Sequence, residues 1–163
     1  MQLREVARRS RTSLATIYKR YATRDELILA AIGRWMAENH TALAAVEREP
    51  GEPLHPAMMR VIRGIFEPWE NHPEMLLAFF RVRPAPGGES LSVRGFDLVV
   101  PVGMAVLADV DSAFVAELEA ILSALVYGLV GRFRDGQIEI TDILPTIDRT
   151  VFLLTTGYQA VPE

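Results

Sequence analysis

The chain contains no cysteine. That excludes disulfides, thiolate nucleophiles and Cys-ligated metal sites, and it fits a reducing compartment. Catalytic signatures are missing too: there is no G-x-S-x-G elbow and no H-E-x-x-H pair. Gly87-Gly88 lacks the Lys-Ser/Thr of a phosphate cradle and reads as a loop. The three histidines, His40, His55 and His72, fall on separate elements without ligand spacing, which argues against a metal site. The N-terminus is charged and has no apolar signal-peptide core. The longest apolar runs are broken by Gly, Pro or charge, so no membrane span is expected. These absences point away from an enzyme. No catalytic residue, no metal ligand and no cofactor is expected, and the expected location is the cytoplasm.

Half of the 163 residues are hydrophobic, enough for a sizeable core. The net charge of −4 conceals a polarity along the chain. Residues 1–24 carry Arg4, Arg8, Arg9, Arg11, Lys19, Arg20 and Arg24 against Glu5 alone, a net of +6, while the rest carries 10 basic and 20 acidic side chains, a net of −10. A basic head on an acidic body points to a head that meets a polyanion and a body that does not.

The patterning is helical nearly throughout. Gln2–Arg9 places Leu3, Val6 and Ala7 inward. A long connector is expected from Thr23 to Glu49, with Leu27, Ala31, Trp35, Asn39, Leu43 and Val46 as its inward stripe and Ile28, Ile32 and Met36 widening it. It should end before Pro50-Gly51-Glu52-Pro53, the expected boundary between residues 1–49 and a body of residues 50–163. In the body, Pro56–Asn71 is expected to turn Met58, Ile62, Ile65, Phe66 and Trp69 inward, with Pro68 kinking or shortening it. Pro73 opens a short helix to Val82, and Pro84–Gly88 is a loop. Leu91–Asp109 is expected to be helical with a kink at Pro101. Asp111 or Ser112 caps a helix running to about Arg134, and Thr141 caps the last helix to about Tyr158. A strand is conceivable only at Gln137–Ile140.

The stretch Ser10–Leu27 organises the head. Ser10–Thr12 is a turn, Ser13 is an N-cap, and Leu14–Arg20 makes about two helical turns. Ile17 and Tyr21 share the inner face. Ala15, Tyr18 and Lys19 lie on the outer face, with Leu14 and Thr16 at its leading end. Small residues allow approach to a groove, and Lys19 and the hydroxyls of Thr16 and Tyr18 can reach phosphate or base edges. Thr23-Arg24-Asp25-Glu26 reads as a capping box. Arg24 opposes the dipole of the helix it opens, a placement that makes sense beside a phosphate.

The helix Ala113–Gly131 is apolar nearly all round, so it must be buried on two sides. Ala120, Ala124, Gly128 and Gly131 would allow a partner to approach closely. The body also carries large adaptable side chains that suit core or pocket: Trp35, Met58, Phe66, Trp69, Phe79, Met104 and Tyr127.

Val6-Ala7, Thr16-Ile17-Tyr18, Tyr21 and Arg24-Asp-Glu-Leu27 fall at the spacing of the tetracycline-repressor (TetR) family of transcription regulators, which the chain resembles over Met1–Leu27. Beyond Leu27 the likeness is architectural. The patterns Phe114–Phe133 and Ile143–Tyr158 also resemble the branch containing KstR-type regulators of sterol catabolism. The resemblance implies an all-α fold, with a helix-turn-helix head and a helical-bundle ligand-binding and dimerisation domain. It implies operator DNA contacted by Ser13, Leu14, Ala15, Thr16, Tyr18, Lys19 and Arg24. It implies a small apolar or amphipathic effector among the seven pocket candidates. And it implies a homodimer joined through Ala120, Ala124, Leu125, Gly128, Arg132 and Phe152. By the same likeness, the family's first helix would precede Met1. Arg11 stands where the family often has Gly, and Thr12 where it usually has an apolar residue. Two other readings compete. A lipid-like-substrate-binding protein without DNA binding would need convergent polar groups that the sequence does not assemble. A protein-interaction module would have no use for the basic head.

Overall fold

Side-chain caps set where three of the helices begin. The computed structural model describes residues 2–40, 43, 46–88 and 99–160. Helix α1 (Leu3–Ser10) ends at Arg11, whose φ of 53° is left-handed. That conformation explains why glycine suits this turn, and here a side chain is held in it. Helix α2 (Leu14–Arg20) starts at Ser13, whose Oγ accepts from the Thr16 N–H at 3.0 Å. Helix α3 (Arg24–Asn39) starts at Thr23, whose hydroxyl accepts from the Glu26 N–H at 3.1 Å. The Glu26 carboxylate reaches back to the Ala22 N–H at 2.7 Å, one residue before the N-cap, so the expected capping box closes with a shifted register.

The connector helix is shorter than expected. It ends at Asn39 rather than near Glu49. Asn39 Nδ2 donates to the Trp35 carbonyl at 2.9 Å, and the His40 N–H and imidazole both turn onto the Met36 carbonyl. The helix thus closes on local bonds within a run that its composition would continue. Of the remaining connector, residues 41, 42, 44 and 45 lie outside the described residues. The inward stripe holds in part: Ile32 and Leu43 are buried as expected, Leu29 is buried in addition, and Ala31 and Asn39 are exposed.

Helix α4 (Leu54–Asn71) runs through Pro68 without being shortened. It buries Leu54, Ala57, Met58, Met59, Val61 and Trp69, whereas Ile62, Ile65 and Phe66 are half-buried. Helix α5 (Pro73–Val82) opens on its proline, where the missing N–H leaves nothing unsatisfied. Of the Leu91–Asp109 pattern, 91–98 lie outside the described residues, 99–106 are helical through Pro101, and a turn follows. Helix α6 (Ser112–Arg134) is capped by Asp111, whose Oδ1 accepts from the N–H groups of Ala113 and Phe114 at 3.0 and 3.1 Å. It ends at a turn in which Gly136 takes a φ of 70°. Helix α7 (Ile143–Ala160) is not capped by Thr141. A 3₁₀ turn (Ile140–Asp142) precedes it, closed by a reciprocal Glu139–Asp142 box. No strand occurs among the described residues, Gln137–Ile140 included.

Helix α4 packs on α7 and α5, α7 on α6, and α3 on α5. The core they enclose includes Ile32, Leu54, Ala57, Val61, Leu118, Ile143, Ile147 and Val151. Residues 46–53 are pinned by two arginines. Arg48 donates to the Glu52 carbonyl at 3.0 Å and to Asp109 Oδ1 at 2.5 Å. Arg60 pairs with Glu52 and holds its carboxyl down to about 2. The α4–α7 contact carries a polar tie as well: Asp148 meets His55 Nε2 at 2.6 Å and Arg63 Nη2 at 3.1 Å. Burial pushes the Asp148 carboxyl up, but His55 and Arg63 outweigh it and hold it below the usual carboxylate range.

A depressed carboxylate stabilises the fold above its unfolded value, and that contribution is lost as pH falls through the folded value. Asp148→Asn should therefore cost about 1 kcal/mol at pH 7, roughly 2–4 °C in thermal midpoint. The deficit should vanish when melting is repeated well below pH 4. An equal deficit at both pH values would show that the carboxylate charge is not what ties α4 to α7.

Candidate functional site

The basic head presents its polar side chains outward. Ala7 and Ile17 bury one side of the α1–α2 pair, whereas Ser13, Ala15, Thr16, Tyr18, Lys19 and Arg24 are exposed and Leu14 is half-buried. Tyr18, at 53% exposure, projects furthest for an aromatic of the head. Its neighbour on the inner side, Tyr21, is half-buried. The cations are not equivalent. Arg8 and Arg9 are taken up by Glu5, at 2.6 and 2.7 Å, and Arg8, then Arg9, holds the Glu5 carboxyl below its ordinary value. Arg4, Arg11, Lys19, Arg20 and Arg24 make no ion pair among the described residues. The Ser13 and Thr16 hydroxyls lie 2.8 Å apart, so one donates to the other and Thr16 is partly engaged within the cap.

The seven pocket candidates divide. Trp35, Trp69 and Phe79 come together where α3, α4 and α5 meet, with ring centroids 4.4 Å apart for Trp35–Trp69 and 6.0 Å for Trp69–Phe79. Met58 is buried and Phe66 half-buried on α4. Met104 and Tyr127 stand apart from this cluster, 57% and 68% exposed. The structure also shows an open groove of about 460 Å³ between α4 and the start of α7, lined by Met59, Arg63, Glu67, Asn71, Leu144 and Asp148 among others. Sequence reasoning missed it because its two walls lie some 80 residues apart in the chain. No group of three His, Asp or Glu side chains that could hold a metal occurs among the described residues.

Helix α6 buries Leu118, Leu129 and Val130 against the core and leaves its other side open. Ala120, Ala124, Gly128 and Arg132 are exposed there, Leu125 is half-buried, and Phe152 and Leu153 of α7 are exposed. A Cβ built on Gly128, Gly131 or Gly157 would meet nothing within 4 Å. Among the described residues, Ser112–Arg134 is long and apolar enough to cross a membrane by length and composition alone, a test that core helices also pass.

The family model described as the tetracyclin repressor-like, C-terminal domain matches residues 51–154, well over half of the chain. The chain belongs to the tetracycline-repressor family. The match covers the TetR body from the start of α4 into α7 and names no branch within the family. No curated protein and no solved structure matches the chain.

In this TetR-family chain the position of α2 rests on one cap. Ser13→Ala removes the acceptor for the Thr16 N–H and should cost about 1 kcal/mol of head stability. Hydrogen exchange of the α2 amides should then speed up about fivefold, with the α7 amides unchanged. Unchanged α2 protection would mean that packing at Ile17, and not the cap, sets the helix start.

Proposed function

We propose that the protein is a homodimeric DNA-binding transcriptional repressor, released from its operator by a small apolar or amphipathic effector. The observation that carries this reading is the set of cations without ion-pair partners, beside the exposed Tyr18, on the outer face of two capped helices attached to a TetR body. Residues 1–49 serve as head and connector, and residues 50–163 as the effector-binding and dimerisation domain. Phosphate contacts set orientation, and side chains on α2 read base edges. Ser13, Leu14, Ala15, Thr16, Tyr18 and Lys19 form that surface, and Arg24 meets a phosphate at the start of α3.

A second copy of the chain is the partner for the open face of α6 and α7. Contiguous apolar patches of this kind are rare on monomers. A four-helix contact of two α6–α7 pairs would cover it, with Ala120, Ala124 and Gly128 allowing close approach and Leu125, Arg132 and Phe152 around them. Burying the opposite side of α6 in the core supports a soluble, cytoplasmic dimer over a membrane span. Two heads held by one dimer must meet half-sites about 34–36 Å apart. An effector seated against Trp35, Trp69 and Phe79 would act on the joint between connector and body. It shifts the equilibrium only by its preference for the released state, typically 5–150-fold in operator affinity. No step of this reading needs catalysis or a cofactor.

In the intact protein, Lys19→Ala and Arg24→Ala should each weaken binding to an operator duplex selected in vitro. Arg24→Ala should act alike on all sequences and reduce the salt dependence by about one charge. Full binding by both variants at two salt concentrations would remove the assigned surface. Gly128→Arg tests the pairing separately. One chain has room for the new side chain, so the variant should fold, sediment as a monomer and lose operator affinity. A dimer of unchanged affinity would place the interface elsewhere.

A further inference from the structure

His40 is buried, with 5% of its surface exposed, at the point where α3 stops. Its two ring nitrogens face two carbonyl oxygens on two different helices. Nδ1 lies 2.9 Å from the Met36 oxygen in α3, and Nε2 lies 3.1 Å from the Ile65 oxygen in α4. A neutral imidazole carries one N–H, so one of these contacts would set a nitrogen lone pair against a carbonyl oxygen. Only the imidazolium donates to both. Burial opposes a charge at this place, and two features of the surroundings act against that cost. The Met36 carbonyl is one of the last of α3, at the negative end of the helix dipole. The rings of Trp35 and Trp69 flank the imidazole at 5.9 and 5.8 Å, within reach of a cation–π attraction. The approach of the following segment is close as well: a Cβ on Gly64 would lie 2.7 Å from Leu43 Cδ2.

We propose that His40 is a proton-operated latch between the connector helix and the body. Protonated, it ties the end of α3 to the middle of α4. Loss of one ring proton releases one of the two bonds and loosens the joint. The sign follows from which form can donate twice: binding of the second ring proton closes the latch and its loss opens it. Among the described residues, no carboxylate or cation pairs with it. On α3, Arg34 pairs with Glu38. On α4, Arg60 turns to Glu52 and Arg63 to Asp148, and Glu67 and Glu70 line the groove against α7. At the junction of α4 and α5, His72 meets Trp35 at 5.9 Å and lies 3.5 Å from Glu74. The effect of the latch on operator affinity rests on the regulator reading, but the latch itself does not.

Both tryptophans of the chain touch His40, so their emission reports its charge directly. Intrinsic fluorescence of the full chain between pH 5.5 and 8.0 should show one titration step. That step should be lost in His40→Gln and kept in His72→Gln. Nitrogen-resolved NMR of the unmutated chain should show two ring N–H groups on His40 at the low-pH end and one at the high-pH end. A single neutral tautomer across the whole range would overturn the proposal, as would a step that survives His40→Gln and disappears in His72→Gln. If His40→Gln fails to fold, the NMR measurement decides. If the latch titrates but operator affinity does not follow pH, the latch stands and its coupling to DNA fails.

Discussion

Helix α6 carries more apolar surface than one chain covers, and much of the molecule follows from that excess. Its inner side, with Leu118, Leu129 and Val130, anchors the core together with Ile143, Ile147 and Val151 of α7. Its outer side leaves Ile121 and Tyr127 in the open beside Phe152 and Leu153. A helix satisfied on one side only is stable in water when something else covers the other. The proposed second copy does so without new polar groups, because the small residues on this face leave room for a neighbouring backbone. The same pairing would fix the distance between two heads, so one apolar face would serve both stability and operator spacing.

The head obeys a different constraint, set by charge and caps rather than by burial. It has few buried side chains, and its helices start at Ser13 and Thr23 because hydroxyls there satisfy orphan N–H groups. Its cations are shared between two duties. Glu5 draws in Arg8 and Arg9 and neutralises part of α1, while the exposed face of α2 keeps Lys19 and the start of α3 keeps Arg24 without an ion-pair partner. Cations left unpaired next to small side chains suit a polyanion better than they suit solvent alone.

Local signals were legible in the sequence, and long-range ones were not. Ser13 and Thr23 were readable as caps, and Asp111 as one of two candidates with Ser112, because capping is settled within four residues. The all-α class followed from periodicity, and the family from a short motif near the N-terminus. The end of α3 was not readable. The run after Asn39 is rich in helix formers, and at the point where the helix ends His40 meets Ile65, on another element. The start of α7 was misassigned for a smaller reason: the Glu139–Asp142 box outcompetes Thr141 one turn earlier. The pocket candidates divided because residue type does not say which face a side chain takes. Trp35 and Trp69 met across two helices, while Met104 and Tyr127 ended on open faces. Asp148 with His55 and Arg63 was invisible for want of any local pattern linking positions so far apart.

The most direct measurement is the mass of the unmutated chain in solution. Sedimentation at micromolar concentration is expected to give a dimer whose dissociation is accompanied by exposure of apolar surface, since obligate interfaces bury roughly 2,000 Å² or more. A clean monomer at that concentration, soluble and folded with the α6 face uncovered, would contradict the account.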